Sequence, residues 1–241
     1  MEESQYAVVT GCDHGVGLSL VKELLIRGYQ VLAVRIRKEE HTVDDLMAEY
    51  PGKLTIVTAD IGKDEEVETI RERAEQVFPR LDLLINNAGI LGDMTRTVAD
   101  HPDFEEIKQV FNVNALGTLR VTCALIDLLL KGEQKLIVNI SSEAGSISEC
   151  TRDAWFGYCM SKAANNMQGA LVHNWFKKRG GTVIQMHPGH VRTFMRGYED
   201  TTGKVSPDES AEGILHTVLD NPVAKGDIPL YTDFEGNRFT Y

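Results

Sequence analysis

Short apolar runs alternate with longer amphipathic stretches along the whole chain. Residues 6–10, 30–35, 54–59, 83–86, 136–140 and 182–186 are rich in Val, Ile and Leu. Runs of that length suit strands buried on both sides, as in a parallel sheet. Residues 16–27, 42–49, 64–77, 104–131, 155–179 and 208–220 carry apolar positions at helical spacing. The alternation predicts a single α/β domain over residues 1–241, doubly wound, with a mostly parallel seven-stranded sheet and helices on both faces. No composition break, linker or repeat interrupts it. The tail from Gly226 onward has alternating apolar residues and the turn-like run Asp-Phe-Glu-Gly-Asn. A last strand and an edge segment are expected there.

Composition narrows the possibilities. The 25 basic residues against 36 acidic ones give a net charge of −11. That balance disfavours a broad nucleic-acid surface but permits a local anion site. Four cysteines show no CxxC spacing, so free thiols in a reducing compartment are expected. Seven histidines form neither HExxH nor a His/Cys cluster, and no metal site is expected. No apolar run reaches the roughly 18 residues of a membrane span. The acidic start Met1-Glu2-Glu3-Ser4-Gln5 lacks a hydrophobic signal region. A cytoplasmic protein without a membrane partner is the resulting expectation.

The first apolar run ends in Thr10-Gly11-Cys12-Asp13-His14-Gly15-Val16-Gly17 and leads straight into a helical pattern. Glycines so placed allow a tight turn and a close approach of backbone to a diphosphate at the helix N-terminus. This predicts a Rossmann-type dinucleotide site. Such sites usually carry an acidic residue about 20 positions further on for the ribose 2′-hydroxyl. Here Arg35 stands in that place, with Arg37 two residues on. A guanidinium suits a 2′-phosphate, which favours NADP(H). Glu39 and Glu40 follow closely and keep NAD(H) open. The run 83–86 ends in Asn86-Asn87-Ala88-Gly89, where small residues permit backbone contact with a cofactor.

Tyr158 and Lys162 are four apart in a helical pattern and so share a face. A free tyrosine titrates near 10, and bringing it to about 7 takes roughly 4 kcal/mol. One cation about 4 Å away at an effective dielectric near 20 supplies that much. Tyr158 can then exchange a proton with a carbonyl or alcohol oxygen. Ser141 and Ser142 close the run 136–140, and a serine there can bond the same oxygen. Asn114, inside the long helical stretch, can hold a water on a proton path to Lys162.

Together these residues resemble the short-chain dehydrogenase/reductase family over nearly the whole chain. Thr10-Gly11-xxx-Gly15-x-Gly17 is similar to its TGxxxGxG loop, and Asn86-Asn87-Ala88-Gly89 to its NNAG motif. Asn114, Ser142, Tyr158 and Lys162 fall in order on its Asn-Ser-Tyr-Lys tetrad. Pro188-Gly189-His190-Val191-Arg192-Thr193 resembles its PG motif, whose threonine meets the nicotinamide carboxamide. The match looks most like the C-factor/sniffer-type carbonyl reductases. The resemblance implies reversible hydride transfer between NADP(H) and a carbonyl/alcohol pair, with Ser142 rather than Ser141 catalytic. It adds Asp13, His14, Val16, Asp60 and Ile61 to the cofactor set and makes a homodimer or homotetramer the expected assembly. Ser142 and Tyr158 stand 16 apart, more than is common, so the loop between them is lengthened. Trp155, His190 and Met195, with Phe156, Phe194 and Tyr198, are expected to wall the substrate pocket. A non-catalytic NADP(H)-sensing protein on the same fold is the alternative. Such members usually lose the tyrosine or lysine that this chain keeps.

Overall fold

The computed structural model describes residues 4–37, 42–220 and 228–241. Its strands are β1 (Tyr6–Thr10), β2 (Gln30–Arg35), β3 (Leu54–Thr58), β4 (Leu83–Asn86), β5 (Leu136–Ile140), β6 (Thr182–His187) and β7 (Leu230–Asp233). They form one sheet in the order β3-β2-β1-β4-β5-β6-β7. Every neighbouring pair of named strands is parallel. The chain steps outward from β1 to β3, then returns past β1 to β4. That reversal opens a crevice beyond the carboxyl ends of β1 and β4, where doubly wound folds bind ligands.

The two-residue period of the strands sorts their side chains between two apolar layers. Ala7 and Val9 of β1, Leu83 and Ile85 of β4, and Val138 of β5 face one layer, with Leu20, Leu24, Ile214 and Leu215. Val8, Leu84 and Ile137 face the other, with Ile70, Val121, Leu125 and Phe176. These helix residues come from α1 (Gly15–Ile26), α3 (Asp64–Val77), α5 (Thr118–Lys131), α6 (Phe156–Phe176) and α7 (Pro207–Leu215), while α2 (Thr42–Glu49) and α4 (Phe104–Phe111) complete the α-helices. Local chemistry sets several starts. Asp103 accepts the N–H groups of Glu105 and Glu106 at the head of α4. Ser206 and Glu209 cap α7 reciprocally, with Pro207 in its first turn.

The helical stretch 104–131 is not uniform. Between α4 and α5, Asn112–Gly117 forms a π-helical turn. Hydroxyl groups support it: Thr118 Oγ1 donates to the Asn114 carbonyl at 3.0 Å, and Thr122 Oγ1 to the Thr118 carbonyl at 2.9 Å. By length and composition Phe104–Lys131 would suffice to cross a membrane, but half of its most apolar window is buried inside the protein. The helical pattern at 208–220 likewise resolves into α7 and a π turn at His216–Asp220. The tail forms β7, then turns at Gly236 (φ +91°) and returns to an antiparallel bridge between Thr232 and Arg238.

Candidate active site

The glycine loop is held by hydrogen bonds and by contact. Thr10 Oγ1 accepts the N–H groups of Asn87 and Ala88 at 3.0 and 3.1 Å. Asn87 Nδ2 donates to the carbonyls of Thr10 and Gly11 at 3.0 and 2.9 Å. Gly11 is left-handed, and a Cβ there would lie 2.7 Å from Ala88 Cα. A Cβ on Gly17 would lie 2.0 Å from the Gly11 carbonyl oxygen. Asn87 is thus the staple that joins the two strand ends, and Ala88 fits because it is small. Val16 is buried in the first turn of α1, and the His14 ring meets Phe194 edge-on at 6.4 Å.

The end of β2 departs from expectation. Arg35 stands at the expected position, but its guanidinium bonds Asp44 at 2.6 Å and approaches Thr58 Oγ1 at 3.4 Å. A carboxylate from α2 therefore already engages the group expected to meet a 2′-phosphate. Arg37 lies beyond the strand and is exposed. The Asp13 carboxylate accepts the N–H groups of Ile36 and Arg37, so it shapes this turn from within the glycine loop. Glu39 and Glu40 lie outside the described residues. Asp60 Oδ1 accepts the Gly62 N–H at 2.8 Å. Ile61 is buried tightly against Gly117 of the π turn.

Tyr158 and Lys162 lie buried one turn apart on α6. Lys162 Nζ donates to the Ile140 carbonyl at 2.8 Å and sits 5.5 Å from the Tyr158 ring centroid. A Cβ on Gly89 would lie 3.7 Å from that ammonium and 3.2 Å from Asn114 Oδ1, so all three residues converge. Burial pulls Lys162 down to about 8. Burial pushes Tyr158 well above its ordinary value, opposed by Ser142's hydrogen bond.

Ser142 lies beside Tyr158, whereas Ser141 turns away and donates to Asn166 Oδ1 at 2.7 Å. Ser142 Oγ donates to Glu143 Oε2 at 2.6 Å. Asn114 is held at both ends of its amide. Its Oδ1 accepts the Ile90 N–H at 2.8 Å, and its Nδ2 donates to the Ile90 carbonyl and to Ser161 Oγ. Its side chain thus fixes the segment after Gly89 beside Lys162.

The loop after β6 folds over the crevice. Pro188 accepts a hydrogen bond from Ser210 Oγ, and Gly189 is left-handed beside Phe234. Val191 pairs with Val205, and Thr193 reaches Gly15, whose Cβ would lie 3.2 Å from Thr193 Cγ2. His190 bonds Asp200 at 3.0 Å, which is also gripped by Arg196 and Thr202. His190 thus anchors the loop while its ring stays half exposed. Phe194, Met195 and Tyr198 are exposed on the same loop, while Trp155 meets Tyr158 edge-on at 6.1 Å.

The sequence model described as short chain dehydrogenase matches residues 5–203. This chain belongs to the short-chain dehydrogenase family. The dehydrogenase is 35% identical over 160 residues to C-signal of Myxococcus xanthus, covering 66% of this chain and 91% of that one. It superposes with TM-score 0.87 and 26% identity on an NADPH-bound carbonyl reductase from chicken fatty liver, over 99% and 100% of the two chains. The carbonyl reductase Sniffer of D. melanogaster shares the fold, with TM-score 0.89 at 22% identity over 99% and 100%. The resemblance to the C-factor/sniffer branch is borne out.

Several residues of the dehydrogenase's site carried no sequence signal. Glu143, Arg152 and His187 gather behind Ser142: Arg152 pairs with Glu143, and His187 Nδ1 lies 3.5 Å from Glu143 Oε2. Tyr231 of β7 donates its hydroxyl to the Ser142 carbonyl. Such partners, distant in sequence, become neighbours only through the sheet order. The left-handed Gly11 and Gly15, and the absence of a Cβ on Gly17 and Gly89, fit a dinucleotide laid along the crevice toward Lys162.

Proposed function

We propose that this dehydrogenase is an NADP(H)-dependent oxidoreductase acting reversibly on a carbonyl/alcohol pair. The observation that carries the reading is the convergence of buried Tyr158 and Lys162 with Ser142 and Gly89 at the mouth of the glycine crevice. When bound, the nicotinamide supplies or accepts the hydride. The chain's own part is to bind, orient and move a proton. Gly11, Gly15, Gly17, Ala88 and Gly89 leave room for the cofactor backbone, with Asp13, His14, Val16, Asn87 and Asp60 shaping its walls. Arg35 and Arg37 are the cationic groups offered to the adenosine phosphate, so Arg35 must share itself between Asp44 and that phosphate. Pro188, Gly189, Val191 and Thr193 close the nicotinamide end.

Tyr158 holds the proton given to a carbonyl oxygen, or takes it from an alcohol. Lys162 is cationic below about 8 and stabilises the phenolate left behind. Ser142 orients the tyrosine hydroxyl, and Asn114 fixes the floor on which Gly89 rests. Similarity to an NADPH-bound carbonyl reductase supports both cofactor and substrate class. A panel of carbonyls and alcohols, followed by nicotinamide absorbance with NADPH and NADH in parallel, tests the reading. Turnover with NADPH is expected, and none on any substrate would overturn it. Self-association as a dimer or tetramer is part of the proposal, through the exposed Met160, Met167 and Leu171 on one side of α6.

A further inference from the structure

The hydroxyl of Ser142 has one proton and two acceptor lone pairs. The proton goes to Glu143 Oε2 at 2.6 Å, and the oxygen accepts the Ala144 N–H at 3.2 Å. A substrate carbonyl can only accept hydrogen bonds. In this arrangement Ser142 has no proton to give it.

Glu143 is itself held in place. Arg152 binds its other carboxylate oxygen, and His187 Nδ1 stands 3.5 Å from Oε2. Burial works to raise the Glu143 carboxyl, but the Ser142 hydrogen bond, His187 and Arg152 outweigh it and keep the group ionised. Arg152 in turn lies 4.9 Å over the Trp155 indole. Trp155 is left-handed at φ +66°, an unfavourable backbone state for a bulky residue that persists only when its surroundings enforce it. The lengthened loop between Ser142 and Tyr158 is the segment that delivers both Arg152 and Trp155 to the site.

We infer that Glu143 is a positioning residue that acts through Ser142. Its carboxylate draws the serine proton away from the reacting oxygen, and Arg152 sets how strongly by sharing that carboxylate. The inference rests on the carbonyl/alcohol reading above and deepens it. The negative charge also opposes the charge that develops on the substrate oxygen, and Arg152 offsets this. Glu143 is therefore a brake on the serine, and Arg152 relieves it.

The test is carbonyl reduction with NADPH by the wild type, by the single variants Glu143→Gln, Arg152→Met and Arg152→Lys, and by the double variant that combines Glu143→Gln with Arg152→Met. In Glu143→Gln the remaining oxygen stays with Arg152 and the amide N–H faces Ser142, so the serine proton turns to the substrate. A charge-assisted hydrogen bond gives way to a neutral one, and kcat/KM is expected to rise roughly fivefold to thirtyfold. Arg152→Met is expected to lower kcat/KM by a similar factor, and Arg152→Lys to recover most of that loss. In the Glu143→Gln background, Arg152→Met should change the rate less than about twofold, because the charge it compensates is gone. NADPH affinity and melting temperature should match the wild type for Glu143→Gln, which a merely structural role would not allow. Equal or slower reduction by Glu143→Gln, or an Arg152→Met loss that persists in the double variant, overturns the inference while the carbonyl reading stands. Absence of wild-type turnover on every substrate overturns both.

Discussion

On the β1–β4 side of the crevice the chain presents backbone. Gly11, Gly15 and Gly17 bring the main chain forward, and Asn87 ties the two strand ends through main-chain oxygens. On the β5–α6 side it presents side chains: the buried Tyr158, Lys162 and Ser142, and the half-buried Glu143–Arg152 pair. The first side is sensitive to volume. The second tolerates little change of charge, because burial shifts or works to shift Tyr158, Lys162 and Glu143. One side is thus suited to holding a ligand, the other to moving a proton.

Substitutions should separate the two sides. Tyr158→Phe removes the transferable proton and keeps the volume. Turnover should fall about 10³-fold or more, with NADPH affinity within about twofold of wild type by fluorescence titration. Lys162→Met should cost roughly 10²-fold in turnover and, unlike Tyr158→Phe, should also change the pH dependence of stability. Burial lowers the folded Lys162 to about 8, below its unfolded value near 10.5. Between those limits the unfolded chain binds more protons, so this residue's contribution to stability rises with pH. Its destabilisation is fully present below about 8 and is relieved above it, by about 3 kcal/mol in all. Denaturant melts of wild type and Lys162→Met should diverge across that window; parallel curves would contradict the assigned burial.

Gly17→Ala probes the backbone side. Its Cβ meets the Gly11 carbonyl at 2.0 Å. A loss of about 1–3 kcal/mol and a roughly tenfold weaker NADPH affinity are expected. Its residual activity should keep the wild-type pH profile, and a shifted profile would blur the division between the two sides. The smallest effects belong to the β2 end. Arg35→Leu should lower the preference for NADPH over NADH roughly tenfold, and Asp44→Asn should raise NADPH affinity by a few-fold, by weakening the Arg35 pair. An unchanged NADPH-to-NADH ratio in both variants would remove Arg35 from the phosphate site.

The backbone side was also the more legible in sequence. Runs such as Leu83–Asn86 are buried on both faces, and a glycine between a strand and a helix has few other uses, so strand bounds and loop were read almost residue for residue. The side-chain site was legible only as an ordered set of motifs. Nothing local to Asn112–Gly117 announces a π turn, since Asn114 is an ordinary polar helix residue until the fold places Ile90 opposite it. That Arg35 is also paired with Asp44 was not legible, because Asp44 lies across a loop, in another element. The pairing of Glu143 with Arg152, and of Tyr231 with the Ser142 carbonyl, depends on which strands are neighbours. A one-dimensional pattern does not carry that information.

The π turn sets the phase of everything after it. Each residue of an α-helix advances the surface by about 100°. An extra residue's worth of winding lets α4 lean on α6 while α5, along nearly the same axis, lies on α3 and β4. Removing one residue between Phe111 and Thr118 would restore an even helical period and rotate one segment's apolar stripe off its partner. The spacing through this stretch is therefore geared: a swap of residue type can be absorbed there, but a change of length cannot.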